Sequence, residues 1–336
     1  MKAFIKNIKK NTIFLLIITI LVLYFVLKDD FQNIVNTLNN IDLKYVIIAV
    51  FFYMLSVVIK GYVNYTIINQ PKKISKKEAI KHNFITQFFN GITPFSTGGQ
   101  PMEVYMIKEH GISISQATNF TIQSFIFYQI ALVICGFISV IFNYCFKMFP
   151  KNPLLRQFVL LGFLINIAVV VVLILISYSK KINFLLKKMT INISKKFKKE
   201  TNEKEISKKF DEFYEGFKEL KDKKEIIVQG ILLNIVSLLC LYITPLFVVY
   251  SMGDFNSINV IETLTASAYV YVIGAFVPIP GASGGIEFGF TQFFGNFIET
   301  SVLPAALLVW RFITYFLGII LGAILFNTEK KVEEWE

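Results

Sequence analysis

The chain has 336 residues, of which 54% are hydrophobic and 35 are phenylalanine. A soluble domain does not need that much apolar surface, and several runs reach the ~20 residues that a membrane-spanning helix requires. The formal net charge of +11 would suggest nucleic acid in a soluble protein. Here the lysines flank apolar runs, which indicates membrane topology and anionic lipid. We therefore predict an all-α polytopic membrane protein, folded as one membrane domain, without a nucleic-acid partner.

Four spans are predicted in the first half of the chain, residues 1–179. Lysines precede the apolar run 12–27, which has no small-residue cleavage site and is interpreted as an uncleaved first span with a cytoplasmic N-terminus. Lys60 lies near enough to one end of the second span to snorkel toward the interface. The later spans of this half are predicted at 43–68, 114–142 and 155–178.

Residues 83–107, between the second and third spans, are apolar at both ends but are interrupted between Gly91 and Pro101. Such a segment is too broken for one clean span, because irregular backbone survives at membrane depth only inside protein or beside a watery cavity. We predict a re-entrant helical hairpin that enters from the cytoplasm and returns to it. A second hairpin of this kind is predicted at 260–299, in the second half of the chain, residues 225–336.

The two remaining spans are predicted at 226–250 and 302–326. This layout places 27 of the Lys and Arg residues in cytoplasmic segments, 5 in outside segments and 2 within spans. The bias supports cytoplasmic N- and C-termini, and it makes the first hairpin open inward and the second outward. About six spanning helices and two oppositely oriented hairpins are the arrangement that an inverted repeat requires.

The linker at 180–224 has a different composition, with 15 lysines and 8 acidic residues. Two interpretations stay open. Either its helices lie on the inner leaflet, attracted to anionic head groups, or they pack against the membrane domain as a solvated linker. The apolar residues of the linker recur at helical spacing, first as Leu185, Met189, Ile193 and Phe197 and then as Ile206, Phe210, Phe213, Phe217 and Leu220.

A short motif occurs once in each predicted hairpin. Residues 94–99 and 280–285 both contain Pro, two residues, a hydroxyl residue and Gly-Gly, and a glutamate follows each motif. Paired Gly/Pro-interrupted segments in matching halves indicate a transporter binding site. The prolines favour a broken helix, whose exposed N-terminal amides attract anions. For Gly318 and Gly322, which have the Gly-xxx-Gly spacing, we predict helix packing instead.

Glu287 is the strongest site candidate, because a charged group at a helix centre costs about 2.5–3.5 kcal/mol and usually has a partner. Arg311, in the next span, is the natural partner. The two residues form either a structural ion pair or the lining of a polar cavity in which Arg311 faces a phosphate. Other predicted head-group ligands belong to the two motifs or follow them: Ser283, Gly281, Gly284, Gly285, Thr97, Gly98, Gly99, Gln100 and Glu103.

Three further polar residues are weaker candidates. Gln123 and Gln129 either line the same cavity or make core contacts between helices. Glu262, like Glu103, is a weaker candidate because it falls near a predicted membrane interface.

Neither a metal site nor a cofactor is predicted. Cys135, Cys145 and Cys240 have no metal-ligand spacing. The histidines, His82 and His110, are isolated in the sequence from any cysteine or second histidine. The sequence lacks a Walker loop, a dinucleotide fingerprint in strand–helix context, a His-Glu-x-x-His motif and a nucleophile elbow. ATP-driven transport by this chain alone is therefore not expected.

Three stretches of the chain, 93–101, 280–287 and 310–315, resemble the transmembrane region of bacterial lysylphosphatidylglycerol synthases, and the likeness covers nearly the whole sequence. One departure is Glu103, where relatives often carry an arginine. In full-length relatives a soluble domain moves lysine from lysyl-tRNA to phosphatidylglycerol, and the membrane region is thought to translocate the product. This chain ends shortly after its last predicted span, so we expect no room for the aminoacyltransferase domain.

The resemblance implies a flippase-like lipid translocase in the bacterial plasma membrane, which moves lysylphosphatidylglycerol or another lipid-linked head group between leaflets. The glycine amides, Ser283 and Arg311 are expected to hold the phosphate, and Glu287 with Glu103 a cationic head group. The rival hypotheses are phosphatidylglycerol lysyltransferase activity and a non-transporting partner that recruits a separate lipid-modifying enzyme through 180–224. The expected partners are anionic or aminoacylated phospholipids, and homo-oligomers are also considered.

Overall fold

The computed structural model describes residues 39–68, 73–149, 153–196, 203–274, 277 and 279–333, and these residues form an all-α fold. The predicted first span, 12–27, and Pro278 of the second hairpin lie outside the described residues. In chain order the α-helices are α1 Leu43–Ile68, α2 Lys76–Gly91, α3 Gly99–Glu109, α4 Ile114–Phe146, α5 Pro153–Tyr178, α6 Lys180–Lys196, α7 Glu203–Asp222, α8 Lys224–Tyr242, α9 Thr244–Ser251, α10 Val260–Gly274, α11 Gly285–Phe294, α12 Leu303–Arg311 and α13 Leu317–Glu333.

Within the described residues, 5 helical stretches are long and apolar enough to cross a membrane. They match the predicted spans that fall in the described part of the chain, so the protein is an all-α polytopic membrane protein. The stretches are α1, α4, α5 from Leu155 onward, α8 with α9 (Lys224–Ser251), and Leu303–Thr328 in α12 and α13.

Two of these stretches are interrupted, each for a local reason. The stretch Lys224–Ser251 breaks at Ile243, between α8 and α9, because Pro245 lies in the first turn of α9 and has no amide N–H to continue the helix. The stretch Leu303–Thr328 widens into a π-helical turn, Phe312–Phe316, immediately after Arg311. Single π-turns inside α-helices occur frequently at functional sites.

Helices too short to cross a bilayer form two helix–break–helix units. In the first unit, α2 and α3 pack against each other and are joined through the 3₁₀ turn Pro94–Ser96. In the second, α10 and α11 pack together and are joined through the 3₁₀ turn Pro280–Ala282. At 1.5 Å per residue the 16 residues of α2 extend about 24 Å, less than the ~30 Å hydrocarbon core. The two 3₁₀ turns contact each other.

The largest buried cluster holds the second unit against α12. Trp310 and Phe290 are 0% exposed, and their rings stack with centroids 4.8 Å apart. Trp310 also donates a hydrogen bond from Nε1 to Thr244 Oγ1 at 3.1 Å. These contacts fix α12 beside α11 and therefore fix the position of the next residue along the chain, Arg311.

Gly318 and Gly322 allow α13 to approach its neighbours closely, which confirms the predicted packing role. A Cβ at Gly322 would lie 2.3 Å from the carbonyl oxygen of Phe84 in α2. A Cβ at Gly318 would lie 2.1 Å from the Tyr53 hydroxyl in α1. Both positions therefore exclude any larger side chain unless a neighbour moves.

Gly322→Ala is expected to destabilise the fold by about 1–3 kcal/mol, the usual cost of overpacking, because the opposing atom is backbone and cannot rotate away. Gly289→Ala is the matched control. Its Cβ would meet Val270 at 3.5 Å, an ordinary contact, and alanine is the better helix former. Thermal unfolding in detergent should therefore shift downward for Gly322→Ala only. Equal melting temperatures for the two variants would contradict this packing argument.

The two linker helices have different environments. Phe217 of α7 is 1% exposed and belongs to a buried cluster with residues of α1 and α4, and Asn119 Nδ2 of α4 donates to the Phe213 carbonyl at 2.7 Å. The packed interpretation therefore describes α7. In α6, Leu185 and Met189 are half exposed, so the interpretation of a helix on the inner leaflet stays a prediction for α6.

Candidate functional site

The repeated sequence motif folds into a repeated backbone turn. We call residues 93–98 the first elbow and residues 279–284 the second elbow. Each elbow starts with an extended residue, followed by proline at the start of the 3₁₀ turn. The next two residues have positive φ in both elbows, 54° and 53° in the first and 63° and 52° in the second. The two halves therefore share a conformation that L-residues rarely adopt.

The hydroxyl residue of the motif has the same contact in both elbows. Thr97 Oγ1 donates to the Pro94 carbonyl at 3.0 Å, and Ser283 Oγ donates to the Pro280 carbonyl at 3.1 Å. Their backbone amides bond to the same two carbonyls at 3.3 Å. A proline, two residues and a hydroxyl are thus the local requirements of this turn. The environments differ, because Thr97 is exposed and Ser283 is buried.

The amides at the end of the first elbow are already bonded to the chain's own side chains. The Gly98 amide donates to Thr93 Oγ1 at 2.8 Å, and the Gly99 amide donates to Asn90 Oδ1 at 2.9 Å. The expectation that both amides are exposed for an anion is therefore wrong in this conformation. The motif itself does not indicate that Thr93 and Asn90, which precede the glycines, accept from these amides.

The second elbow opens toward solvent-accessible space at Gly284. That residue is exposed and has φ +85°, and a Cβ added there would meet no described residue within 4 Å. Its amide donates to Glu287 Oε2 at 2.6 Å, so the carboxylate caps the start of α11. Gly285 is enclosed instead, since its Cβ would lie 2.2 Å from Val277.

Glu287 and Arg311 form an ion pair at the base of the second elbow. Arg311 Nε lies 2.7 Å from Glu287 Oε1, and the two side chains are 6% and 10% exposed. Arg311 Nη2 also donates to the Gly281 carbonyl at 3.2 Å and to Ser283 Oγ at 3.4 Å. The predicted partnership therefore exists, and it assembles a carboxylate, a guanidinium, a hydroxyl and a carbonyl in one buried place.

Tyr315 connects this ion pair to both elbows. Its ring centroid lies 4.4 Å from the Arg311 guanidinium carbon, a cation–π geometry. Its hydroxyl donates to the Gly91 carbonyl, just before the first elbow, at 2.9 Å. A Cβ at Gly281 would lie 2.2 Å from the same ring. Sequence reasoning quoted Tyr315 in a motif without giving it a role, because its contact with Gly91 joins opposite halves of the chain.

Glu103 lies in a separate polar cluster and not beside Glu287. Asn64 Nδ2 donates to Glu103 Oε1 at 2.6 Å, and Ser124 Oγ donates to Asn64 Oδ1 at 2.5 Å. Glu103 stands two positions further from its elbow than Glu287 does, which turns it onto a different face of its helix. Sequence reasoning did not single out Asn64 or Ser124, which are ordinary polar residues inside apolar runs.

Lys60 also departs from expectation. Its Nζ lies 3.6 Å from the centroid of the Tyr128 ring, and it interacts electrostatically with Glu103. The prediction that Lys60 snorkels toward the interface is therefore wrong. A cation–π contact and a nearby carboxylate offer the ammonium group partners inside the protein.

The weaker polar candidates mostly serve the fold. Gln123 bonds to Asn119 and to the Gly216 carbonyl, which is a core contact between α4 and α7. Glu262 Oε2 accepts from the Asn259 amide at 2.9 Å at the start of α10. The side-chain oxygens of Gln100 and Gln129 are buried without a hydrogen-bond partner in the part of the chain that the structure describes.

The two histidines are neighbours in space, contrary to the expectation of isolation. The ring centroids of His82 and His110 lie 5.3 Å apart, because α2 and α3 fold back on each other. Burial, together with the nearby charge of His110, lowers the pKa of His82 to about 4. Groups of three or more His, Cys, Asp or Glu that could hold a metal are absent from the described residues.

The fold and this geometry define a class: an all-α polytopic membrane protein with two matching elbows that meet beside a buried carboxylate–guanidinium pair. The chain belongs to the family described as the lysylphosphatidylglycerol synthase TM region, which matches residues 12–322. The sequence resemblance to that family is thereby confirmed.

Similar chains occur in distant organisms. A UPF0104 membrane protein of Archaeoglobus fulgidus is 24% identical over 274 residues, which cover 76% of this chain and 77% of the relative. The Uncharacterized protein MG306 homolog of Mycoplasma pneumoniae is 23% identical over 343 residues, which cover 93% of this chain and 85% of the relative. The Uncharacterized protein MG306 of Mycoplasma genitalium is 22% identical, with coverage of 94% and 86%.

Proposed function

We propose that this protein is a flippase-like translocase that moves a phospholipid head group, such as that of lysylphosphatidylglycerol, between the leaflets of a bacterial plasma membrane. Both termini then lie in the cytoplasm, and the two elbows enter from opposite sides. One observation carries the proposal: Arg311 and Glu287 are buried as a pair where the two elbows meet. An ionisable pair inside a membrane protein marks a substrate pathway or a functional site by default.

The pair matches a head group that contains phosphate and ammonium. A guanidinium binds phosphate through parallel N–H bonds. The Ser283 hydroxyl and the Gly284 amide, which donate to the Pro280 carbonyl and to Glu287 in this conformation, lie close enough to become further donors once those contacts exchange. The Glu287 carboxylate suits a lysyl or ethanolamine ammonium. When a head group enters, Arg311 exchanges carboxylate for phosphate and Glu287 exchanges guanidinium for ammonium. Every buried charge keeps an opposite charge during this exchange, which avoids the cost of leaving one unpaired.

The elbows supply both access and closure. Exposed Gly284 gives a head group a path to the pair from one side. The Tyr315–Gly91 hydrogen bond and the contact between the elbows close the other side. Breaking these contacts would connect the pair to the opposite leaflet, and the π-turn 312–316 places a point of local adjustment next to Arg311.

The test is head-group translocation in proteoliposomes that contain acyl-labelled phospholipids, followed by quenching of the outer leaflet. Glu287→Gln and Arg311→Ala should each slow translocation by about a hundredfold, because each removes a charge-assisted contact worth about 1.5–3 kcal/mol and leaves its partner unpaired. Glu299→Gln and Arg156→Ala, which change exposed residues, are the matched controls and should translocate like the wild type. Unchanged rates for both site variants would remove the proposed roles of these residues.

A further inference from the structure

A second cluster of charged and polar side chains lies between α1, α3 and α4. It contains the Glu103 carboxylate, the Asn64 amide and the Ser124 hydroxyl, joined by hydrogen bonds of 2.6 and 2.5 Å. Lys60 adds an ammonium group that interacts with Glu103 and stands 3.6 Å from the ring centroid of Tyr128. We call these five residues the inner cluster. It offers one cation, one carboxylate and one hydroxyl, the same set as the Arg311–Glu287 site.

The inner cluster and the Arg311–Glu287 site lie at matching depths from opposite ends. Lys60 precedes the end of α1 by eight residues, and Arg311 follows the start of α12 by eight residues. At 1.5 Å per residue each distance is about 12 Å. In the predicted topology the end of α1 faces the cytoplasm and the start of α12 faces outside. The inner cluster then lies in the cytoplasmic half of the membrane, and the Arg311–Glu287 site lies in the outer half.

One buried and two partly buried tyrosines lie between the two sites. Tyr128, the member of the inner cluster beneath the Lys60 ammonium, packs in one apolar cluster with Tyr242 and Tyr271. The rings of Tyr242 and Tyr271 stack with centroids 5.4 Å apart. The Tyr271 ring centroid in turn lies 6.2 Å from that of Trp310, the residue that precedes Arg311. We call Tyr128, Tyr242 and Tyr271 the tyrosine bridge.

One member of the tyrosine bridge has no hydrogen-bond partner in the described part of the chain. Tyr242 is 1% exposed, and its hydroxyl is buried without a partner among the described residues. A buried polar group of this kind is uncommon and usually signals an absent ligand, a water or a functional role. Structure alone gives no reason to retain this hydroxyl, since phenylalanine would fill the same space without an unsatisfied group.

We propose that the inner cluster is a second binding site for the phosphate and amino groups of a phospholipid head group, and that the tyrosine bridge carries the head group between the two sites. Lys60 binds the phosphate, and Glu103 binds the ammonium. This inference rests on the proposed translocase function and extends it, because it assigns one station to each leaflet. The step requires no covalent chemistry and only an exchange of ionic and hydrogen-bond partners.

The experiment uses the full chain and two independent readouts. Translocation of labelled phosphatidylethanolamine, whose head group carries both phosphate and ammonium, is measured in phosphatidylcholine vesicles. Retention of dioleoyl-phosphatidylethanolamine is measured by native mass spectrometry, with two retained lipids expected for the wild type. Glu103→Gln and Lys60→Met should each slow translocation about tenfold, the equivalent of about 1.4 kcal/mol, and each should lose one retained lipid. Their controls are Glu109→Gln in α3 and Lys44→Met in α1, both exposed positions.

Tyr242→Phe separates a transport role from a structural one. A merely structural hydroxyl without a partner predicts unchanged translocation and an equal or higher melting temperature. A hydroxyl that contacts a passing head group predicts slower translocation at that same melting temperature. Slower translocation by Tyr242→Phe together with a lower melting temperature would count against the tyrosine bridge.

The outcomes distinguish this inference from the proposed function. If the wild type translocates and all three variants stay within about twofold of it, the scale of a neutral surface substitution, the second site is overturned and the translocase proposal stands. If the wild type does not translocate but Glu103→Gln and Arg311→Ala each lose one retained lipid and the double variant loses both, the translocase proposal fails and the second binding site stands. If Glu103→Gln retains lipid and transports like the wild type, the inner cluster is only structural.

Discussion

Arg311→Met should destabilise the fold by about 3–5 kcal/mol, the expected cost of removing one partner from a buried ion pair. The substitution leaves the Glu287 carboxylate, 10% exposed, without a countercharge. It also removes the hydrogen bonds from Arg311 to the Gly281 carbonyl and to Ser283 Oγ. The measurement is the unfolding midpoint in detergent, monitored by loss of the monodisperse peak in size-exclusion chromatography after heating.

The double variant Glu287→Gln/Arg311→Met distinguishes the two roles that the sequence left open. Glutamine still offers an oxygen to the Gly284 amide, and no buried charge remains. Replacing a buried pair by neutral residues of similar volume is often neutral or stabilising, so the double variant should recover most of the stability. A structural ion pair predicts that transport recovers with stability. A head-group site predicts a stable protein that does not transport, and recovery of transport would therefore contradict the proposed function.

Gly281→Ala is the second substitution with a large expected effect. The residue has φ +63°, and a Cβ there would lie 2.2 Å from the Tyr315 ring. The left-handed backbone costs an L-residue about 1–2 kcal/mol, and displacing a packed ring adds about 1–3 kcal/mol. The ring that must move holds both Arg311 and the Gly91 carbonyl. We therefore expect lower stability and loss of transport together.

Gly111→Ala is the matched control for the backbone term alone. Its φ is +72°, and a Cβ there would meet nothing within 4 Å. That variant should lose only about 1–2 kcal/mol and should transport normally. A second comparison adds Tyr315→Ala to Gly281→Ala, which removes the clash and should restore part of the stability through the coupling of contacting residues. Equal losses for Gly281→Ala and Gly111→Ala would show that the ring contact has no energetic consequence.

Arg311→Met and Gly281→Ala both test whether the second elbow and α12 hold a polar group between them. The first elbow has the same turn but a different electrostatic surrounding. Its glycine amides are bonded to Thr93 and Asn90, and no ion pair corresponding to Glu287–Arg311 forms within the described residues there. The matching charges of the first half lie instead in the inner cluster, around Lys60 and Glu103. The two halves therefore share the backbone conformation of the elbow but differ in where each half places its charges.

Much of the architecture follows from local sequence. Apolar runs of sufficient length predicted the helical spans, because in a bilayer a helix satisfies every backbone group within its own segment. Proline, glycine and hydroxyl spacing predicted the breaks, and the repeated motif folds into the same turn twice since the turn depends only on neighbouring residues. The cost of a lone buried charge was enough to pair Glu287 with Arg311.

The contacts between distant segments were decided only by tertiary structure. The Glu103–Asn64 bond joins residues 39 positions apart, and the Tyr315–Gly91 bond joins residues 224 apart. The His82–His110 contact depends in the same way on how α2 and α3 fold back on each other. Local composition fixes which face of a helix is polar, but the partner of that face depends on helix rotation and packing. For that reason the sequence by itself determined the spans, the elbows and one ion pair, and the fold alone placed Glu103 and Lys60 together in a second cluster.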